Sequence, residues 1–261
     1  MPKTSNLLPD PGAENPRSPT FENQLIELES VDSTNNYAMA RIHEGLANNG
    51  LAYLAHHQTA GKGQRGKTWL SEPRQNLSMS LVIQPAPLEL TQQFLFSAAI
   101  VLGILDTVRA IEPQNWTVKW PNDIYWNDRK AAGILIESVI QGKDWRYAVV
   151  GVGMNVNTQS FPPEIPNSVS LKQITGKHFD PVTIARQLIP SIQHQIIRLK
   201  RTPQEILYDF NRFLFKNEQM QRFKKGQEVF DTRVLGVNEA GLLLTSKASF
   251  MTGEVEWILG Q

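Results

Sequence analysis

Cysteine is absent from this 261-residue sequence. The absence excludes disulfide bonds, thiolate metal sites and a cysteine nucleophile, and it fits a reducing compartment. Net charge is nearly absent too, because 26 lysines and arginines are balanced by 25 aspartates and glutamates, which leaves a formal charge of +1. With so small an excess, the surface as a whole has no strong attraction for nucleic acid or for an anionic membrane.

Long hydrophobic runs are also missing. The longest, Phe94–Leu105, has twelve residues and is interrupted by Ser97 and Gly103, whereas a membrane span needs roughly 20 residues. Residues 1–20 contain five of the sixteen prolines and no longer apolar block than Leu7-Leu8. This composition predicts a flexible tail and is not that of a signal peptide. We therefore expect a soluble, cytoplasmic protein.

The apolar pattern predicts an α+β fold with a mixed, largely antiparallel sheet. A strand is predicted at 51–55, and apolar residues alternate with serines over 77–83, which is typical of a half-buried strand. Short turns between strands favour antiparallel pairing over a βαβ series. The remaining elements predicted for the main domain are strands at 117–120, 132–139 and 147–156 and helices at 35–42 (capped by residues 32–34), 91–111, 181–200 and 203–213.

From Lys224 the sequence changes to short strands, predicted at 228–236, 242–245 and 254–259. Strands of this length in so short a segment predict a small β-barrel. The predicted organisation is a tail over 1–20, a main domain over 21–222 and a C-terminal barrel over 223–261.

The segment Gly61-Lys-Gly-Gln-Arg-Gly-Lys-Thr-Trp69 combines three glycines with three cations. Its G-x-G-x-x-G spacing is that of a dinucleotide site, which requires a helix directly after the third glycine. Residues 67–76 instead contain Pro73 and several turn formers, which argues against a dinucleotide site. Two interpretations remain: a solvated basic turn, or a loop whose backbone approaches a phosphate or carboxylate that its cations neutralise.

A second motif, Lys119-Trp-Pro-Asn-Asp-Ile-Tyr-Trp-Asn-Asp-Arg-Lys130 followed by AAGIL, favours the functional interpretation. Asn122 and Asp123 are turn formers that project polar groups after a short strand. Lysines flank them, Lys119 on one strand and Lys130 at the head of the next. One such lysine alone is usually a surface residue, but a pair around Asn-Asp predicts a site for an anion.

Five blocks together, STNNYA, HQTAGKGQRGKTW, KWPNDI, DRKAAGIL and GVGMNVN, make the sequence resemble the biotin protein ligases from Ser33 to Asn157, with weaker similarity beyond. The resemblance implies a class II synthetase-like catalytic domain and an SH3-like C-terminal barrel. It also implies an enzyme that joins biotin and ATP into biotinyl-5′-AMP and passes biotin to one lysine of a biotin carboxyl carrier protein, that of acetyl-CoA carboxylase. Biotin and ATP are then substrates, and Mg²⁺ accompanies the ATP.

The resemblance also implies roles for particular residues. The catalytic group is Lys130, as main electrostatic catalyst, with Asp123, Lys62 and Arg65. Residues matching the biotin site are Ser33, Thr34, Asn35, Gln58, Gly61, Lys62, Gly63, Gln64, Lys130 and Gly133. Residues matching the adenylate site are Arg65, Gly66, Lys67, Trp69, Lys119, Asn122 and Asn155. Asp123 is the one candidate metal ligand, and for Trp69 core packing is the alternative to stacking on adenine.

Two departures from the family pattern matter. Many members carry arginines where this chain has Lys62, Gln64 and Lys67. Some begin with a helix-turn-helix repressor domain, which is not evident in residues 1–20, so we expect a monofunctional ligase that does not bind DNA or membranes. The adjacent His56 and His57 would point to opposite faces of a strand, so we assign them no metal.

Other assignments stay open at this stage. A lipoate or octanoate ligase of related fold, or a biotin-binding protein without turnover, would share much of the pattern. The sequence does not distinguish a monomer from a homodimer.

Overall fold

The computed structural model describes residues 21–259, so the tail predicted over 1–20 lies outside the described residues. The main sheet has seven strands in the order β1-β2-β3-β7-β6-β5-β4. These strands are β1 (Gln24–Leu28), β2 (Leu51–Ala55), β3 (Leu77–Ile83), β4 (Trp116–Lys119), β5 (Asp123–Trp126), β6 (Arg129–Gln141) and β7 (Asp144–Met154). Only β1 and β2 pair in parallel within this sheet; its other neighbours are antiparallel. The predicted α+β class is therefore confirmed.

Helices cover both faces of the main sheet. They are α1 (Thr34–His43), α2 (Gln93–Ile111), α3 (Leu171–Thr175), α4 (Pro181–Arg201) and α5 (Pro203–Arg212). α2 packs against α4 and α5 over the larger core, and α1 lies on the opposite face against β2, β3 and β7. Residues 90–111, which include α2, are long and apolar enough to cross a membrane by length and composition alone, but 67% of the apolar stretch is buried inside the protein. α2 is therefore the central helix of the core.

The second sheet is antiparallel and lies at the C-terminal end of the described chain. Its strands, in the order β11-β10-β9-β8-β12, are β8 (Met220–Lys225), β9 (Glu228–Val237), β10 (Leu243–Thr245), β11 (Ser249–Phe250) and β12 (Glu256–Ile258). The order leaves β11 and β12 as edges, so a small separate sheet is present where a closed barrel was expected. Trp120 Nε1 of the main domain donates to Gly241 O across 3.0 Å, which joins the two sheets.

Some details of the sequence prediction are wrong. β3 is buried along its whole length, whereas a half-buried strand was expected. Its serine face packs against α1 and borders the cavity described below, so it is not exposed to solvent. Ser33 is the N-cap residue of α1, as expected, but its side chain makes no capping hydrogen bond. Asp123 begins the strand β5, where a turn was expected. β8 begins at Met220, three residues before the expected boundary, although the division into domains itself stays a prediction.

Candidate active site

A cavity of about 750 Å³ lies on the α1 face of the main sheet, under the hairpin formed by residues 61–69. The turn 251–254 and strand β12 of the second sheet close it from above. The volume is in the range of small-molecule sites, about 300–1,000 Å³. Three separate parts of the chain thus meet around one space: the sheet, the glycine hairpin and the C-terminal sheet.

The floor of the cavity is one row of residues across five neighbouring strands. Ser78 pairs with Gly153, Gly153 with Gly133, Gly133 with Asp123, and Asp123 with Lys119. Residues directly opposite each other in antiparallel strands project to the same face, so all five face the cavity. The small residues stand at one end of the row, where the Trp69 ring packs over Gly153 and the Lys130 ammonium lies beside Gly133. The charged residues stand at the other end.

Lys130 is turned into the cavity by a β-bulge. Ile124 pairs with Ala132, but the next residue of β5, Tyr125, pairs with Lys130, which leaves Ala131 without a partner in β5. The extra residue reverses the alternation, so Lys130 projects to the same face as Gly133 three positions later. There Lys130 Nζ lies 2.8 Å from Asp123 Oδ1 and 5.7 Å from the centre of the Trp69 ring. An ammonium group is therefore fixed near the middle of the floor.

A hydrogen-bonded network of hydroxyl and amide groups, anchored on the Glu137 carboxylate behind the lining, occupies the end of the cavity near α1. The backbone N–H of Thr34 donates to Gln58 Oε1 across 2.8 Å, and Ser80 Oγ lies 2.7 Å from Thr34 Oγ1. Ser80 Oγ also donates to Asn35 Oδ1 across 2.6 Å, and Asn35 Nδ2 donates to Glu137 Oε2 across 2.6 Å. These bonds fix the orientation of the Asn35 amide. They also occupy Oε1 of Gln58, so its Nε2 is the atom that can donate to a ligand. This end can bind an uncharged polar group such as an amide or urea.

The glycine segment folds as a tight hairpin. Lys62 and Thr68 form an antiparallel bridge, and the Gly63 N–H donates to Lys67 O across 2.7 Å. At the tip, Arg65 and Gly66 both have positive φ, 57° and 73°, which is the pattern of a type I′ turn. The hairpin brings Lys62, Arg65 and Lys67 to the rim of the cavity.

Lys119 stands at the opposite end of the floor under the second sheet. Burial lowers the pKa of Lys119 to about 8, partly offset by the nearby charge of Asp123. Its ammonium donates to Tyr125 Oη across 3.3 Å and lies 5.1 Å from the centre of the Tyr125 ring and 5.9 Å from that of Trp257. Burial likewise raises the pKa of the Tyr125 hydroxyl, which therefore stays a neutral donor or acceptor at neutral pH. Buried cations of this kind favour an anionic ligand such as a phosphate.

Comparison with known proteins agrees with this geometry. The sequence model of the biotin/lipoate A/B protein ligase family matches residues 27–155. The bifunctional ligase/repressor BirA of Bacillus spizizenii is 30% identical over 231 residues, 84% of this chain and 68% of that protein. The biotin–[acetyl-CoA-carboxylase] ligase of Mycobacterium tuberculosis is 32% identical over 191 residues, 72% and 69% of the two chains. The chain belongs to the biotin/lipoate A/B protein ligase family.

A solved structure is similar in fold over most of the chain. The biotin protein ligase of Aquifex aeolicus, in complex with biotin and ATP, superimposes with a TM-score of 0.76 at 26% identity, covering 91% of this chain and 99% of that one. Relatives and structure together confirm the prediction, made from the sequence blocks, that this family member resembles the biotin protein ligases in particular.

The ligase fold brings together most of the site residues expected from the sequence. Sixteen of them line the cavity: Ser33, Thr34, Asn35, Gln58, Lys62, Gly63, Gln64, Arg65, Lys67, Trp69, Lys119, Asn122, Asp123, Lys130, Gly133 and Asn155. Gly61 and Gly66 do not line it, because Gly61 packs beneath Trp69 O and Gly66 forms the outer tip of the hairpin. The individual roles of these residues stay predictions.

Asn122 and Asn155 have structural partners as well as a place in the lining. The side chain of Asn122 donates to Ile134 O, and its backbone carbonyl accepts from the Ile134 N–H. Asn155 Nδ2 donates to Lys130 O across 3.3 Å. Both amides therefore hold β6 in place, and only their remaining polar atoms are available to a ligand.

Several lining residues escaped the sequence analysis. Ser78 is the most informative, because its buried hydroxyl lines the cavity without a protein hydrogen-bond partner. Four more reach the cavity from far along the chain: Thr252 and Gly253 in the turn 251–254, and Glu256 and Trp257 in β12. Of these residues, only Ser78 could have been predicted from the sequence, through the alternation of serines in β3. A polar face on a central strand must face either solvent or a binding site.

Metal binding by side chains alone has no support in residues 21–259, where no three histidine, aspartate or glutamate side chains group together. His56 Nε2 lies 3.1 Å from Glu27 Oε2, and His57 Nδ1 lies 3.4 Å from Ser30 Oγ. Neither histidine lines the cavity. The carboxylates that do line it are Asp123 and Glu256.

Proposed function

We propose that this family member joins biotin and ATP into biotinyl-5′-AMP and transfers biotin to a lysine of the carrier domain of acetyl-CoA carboxylase. The observation that carries the proposal is the division of the cavity into two chemically different ends with Lys130 between them. The hydroxyl and amide groups around Thr34 and Asn35 suit a ureido ring, and the cations around Lys119 suit phosphates.

In this proposal Lys130 stabilises charge in the first step. The biotin carboxylate attacks the α-phosphorus, the new bond joins carboxylate oxygen to phosphorus, and pyrophosphate leaves with its electron pair. Two anions must approach each other, so a fixed ammonium between them lowers the barrier by orienting both and by offsetting the charge on the phosphorus oxygens. Asp123 holds that ammonium through the 2.8 Å ion pair.

Mg²⁺ accompanies ATP in this proposal and offsets phosphate charge. It usually binds one or two carboxylates together with substrate phosphates and water, which fits a cavity with few carboxylates. Asp123 is the candidate ligand. The relatives' names and the Aquifex complex support biotin, ATP and acetyl-CoA carboxylase as substrates, whereas Mg²⁺ is proposed from the chemistry of ATP.

In the second step the carrier lysine attacks the biotinyl carbonyl and AMP leaves. Asp123 is the carboxylate nearest to Lys130 and is proposed to orient the incoming amine. A cytoplasmic location is part of the same proposal. Activity as a monofunctional ligase, without DNA or membrane binding, is a further expectation of the proposal.

Mass spectrometry of a carrier domain tests the function. The purified protein is incubated with MgATP, a biotin carboxyl carrier domain and either biotin or lipoate. We expect a mass increase of one biotinyl group on one lysine with biotin and none with lipoate. Modification by lipoate alone would favour the lipoate branch of the family, and failure to release pyrophosphate with biotin and ATP would indicate a binding protein.

A further inference from the structure

The side chain of Arg65 connects the glycine hairpin to the second sheet. Arg65 Nη2 donates to Thr252 O across 2.6 Å, between residues 187 positions apart in the sequence. The guanidinium lies over Gly253, where a methyl group in place of the α-hydrogen would overlap it. The contact therefore depends on both residues: the arginine supplies the donor, and the glycine supplies the space.

The backbone of Arg65 is consistent with a special role for this side chain. Its φ of 57° lies in the left-handed region, which a residue with a side chain seldom adopts without compensation. Gly66, the next residue, has a φ of 73° and no neighbour within 4 Å of where a side chain would begin. The hairpin tip thus directs its one long side chain toward Thr252 and carries no side chain at the following position.

Both ends of this contact belong to the wall of the cavity. Arg65 and Gly63 line it from the hairpin, and Thr252 and Gly253 line it from the turn 251–254. Between them, within residues 21–259, the direct hydrogen bond is the one from Arg65 to Thr252. A ligand enclosed by hairpin and turn leaves more easily when these two separate.

We propose that Arg65 is a positioning residue that latches the glycine hairpin onto the C-terminal turn and so retains the acyl-adenylate; this inference rests on the proposed function. We call the Arg65 contact with Thr252 and Gly253 the hairpin latch. The latch is closed while the adenylate forms, since enclosure excludes the water that would hydrolyse it. It opens to admit the lysine of the carrier.

Alanine substitutions test the latch from both sides. Gly253→Ala keeps the arginine but fills its space, and Arg65→Ala removes the donor. Each should speed dissociation of biotinyl-5′-AMP at least about tenfold, the lower end of the loss expected for one charge-assisted hydrogen bond. The matched control is Gly226→Ala, because Gly226 also has positive φ and lies in a turn next to strands of the second sheet, between β8 and β9, but has open space around it.

The double variant separates a steric latch from backbone strain. Gly253 has a φ of +88°, so alanine there is strained whatever its neighbours. If the latch holds, Gly253→Ala adds nothing to Arg65→Ala, because the clashing side chain has gone. Additive effects would overturn the inference. An unchanged off-rate in Gly253→Ala would do so too, since Arg65 would then act on the adenylate directly.

A ligand-free measurement keeps the test independent of the proposed function. Trypsin cleavage after Lys67, in the hairpin, should be faster in Gly253→Ala and in Arg65→Ala than in the wild-type protein and in Gly226→Ala. Equal cleavage in all four would refute the latch. If the wild-type protein forms no adenylate, the proposed function fails, and the cleavage rates still decide whether the hairpin latch exists.

Discussion

Replacing Lys119 by methionine should make the ligand-free protein more stable and its use of ATP poorer. Burial lowers the pKa of Lys119 from 10.5 to about 8, which corresponds to roughly 3 kcal/mol against the charged form at 1.36 kcal/mol per pKa unit. The rings of Tyr125 and Trp257 attract the ammonium and return about 1 kcal/mol. Methionine fills similar space without charge, so we expect a gain of about 1–2 kcal/mol in the free energy of unfolding at pH 7.

The gain should depend on pH in a defined direction. Below pH 8 both the folded and the unfolded protein carry the Lys119 proton, so the cost of burying the charge is present in full. Between pH 8 and 10.5 the folded protein releases the proton first, and the cost fades. Urea unfolding of the two proteins at pH 7 and pH 10 measures this: the advantage of Lys119→Met should be large at pH 7 and small at pH 10.

ATP use should change in the opposite sense. A charge-assisted hydrogen bond to phosphate is worth about 1.5–3 kcal/mol, so its loss should raise the KM for ATP roughly 10- to 150-fold. In the wild-type protein, KM should rise as the pH passes about 8 and Lys119 loses its proton. The variant should lack this rise.

Lys200→Met is the matched control for the ATP measurement. Burial also lowers the pKa of Lys200, but this side chain donates to Ala86 O and does not line the cavity. Its replacement should leave the KM for ATP unchanged. The reasoning about Lys119 is refuted if Lys119→Met is no more stable than the wild-type protein at pH 7 and has the same KM for ATP.

Three further substitutions test the floor and the hairpin. Lys130→Ala should slow pyrophosphate release roughly 100- to 1000-fold with unchanged folding, the usual effect of losing one preorganised donor; a near-normal rate would remove Lys130 from its role. Gly151→Ala places a methyl group against the Asn35 amide, so calorimetry should show biotin bound at least about tenfold more weakly. The control Gly142→Ala, in an open turn, should leave the affinity unchanged. Equal affinity in Gly151→Ala would mean that Asn35 moves aside freely. Gln64→Arg adds a charged donor and should slow release of biotinyl-5′-AMP by up to about tenfold; equal off-rates would show that the existing cations suffice.

Local pattern was enough to locate most elements of the main domain. β2 has the predicted bounds, and a short turn joins β6 to β7 as an antiparallel pair, as expected, because short apolar runs and turn formers act over a few residues. The burial of β3 was not predictable in the same way. Alternation shows that Ser78 and Ser80 share a face, but whether solvent or a cavity lies against that face depends on distant elements.

The orientation of key side chains was harder still to read from the sequence. Lys130 faces the cavity only because Ala131 forms a bulge, and nothing in the local pattern marks a bulge at that alanine. Arg65 was assigned to the adenylate from its place in the motif, yet its guanidinium contacts Thr252. Pairs so far apart in sequence are set by tertiary packing, which propensity and periodicity do not report.

The row from Ser78 to Lys119 also sets the distance between the two ends of the ligand site. It crosses four strand spacings of about 4.8 Å, or roughly 19 Å in all. The backbone hydrogen bonds between these strands therefore fix the length of a ligand that contacts both ends of the row. Sliding one strand by a single residue would turn its member of the row to the opposite face. A substitution that shifts the pairing of β5 with β6 should therefore abolish formation of the adenylate while the chain is still folded. The residues that bind the two halves of the ligand would then lie on opposite faces of the sheet.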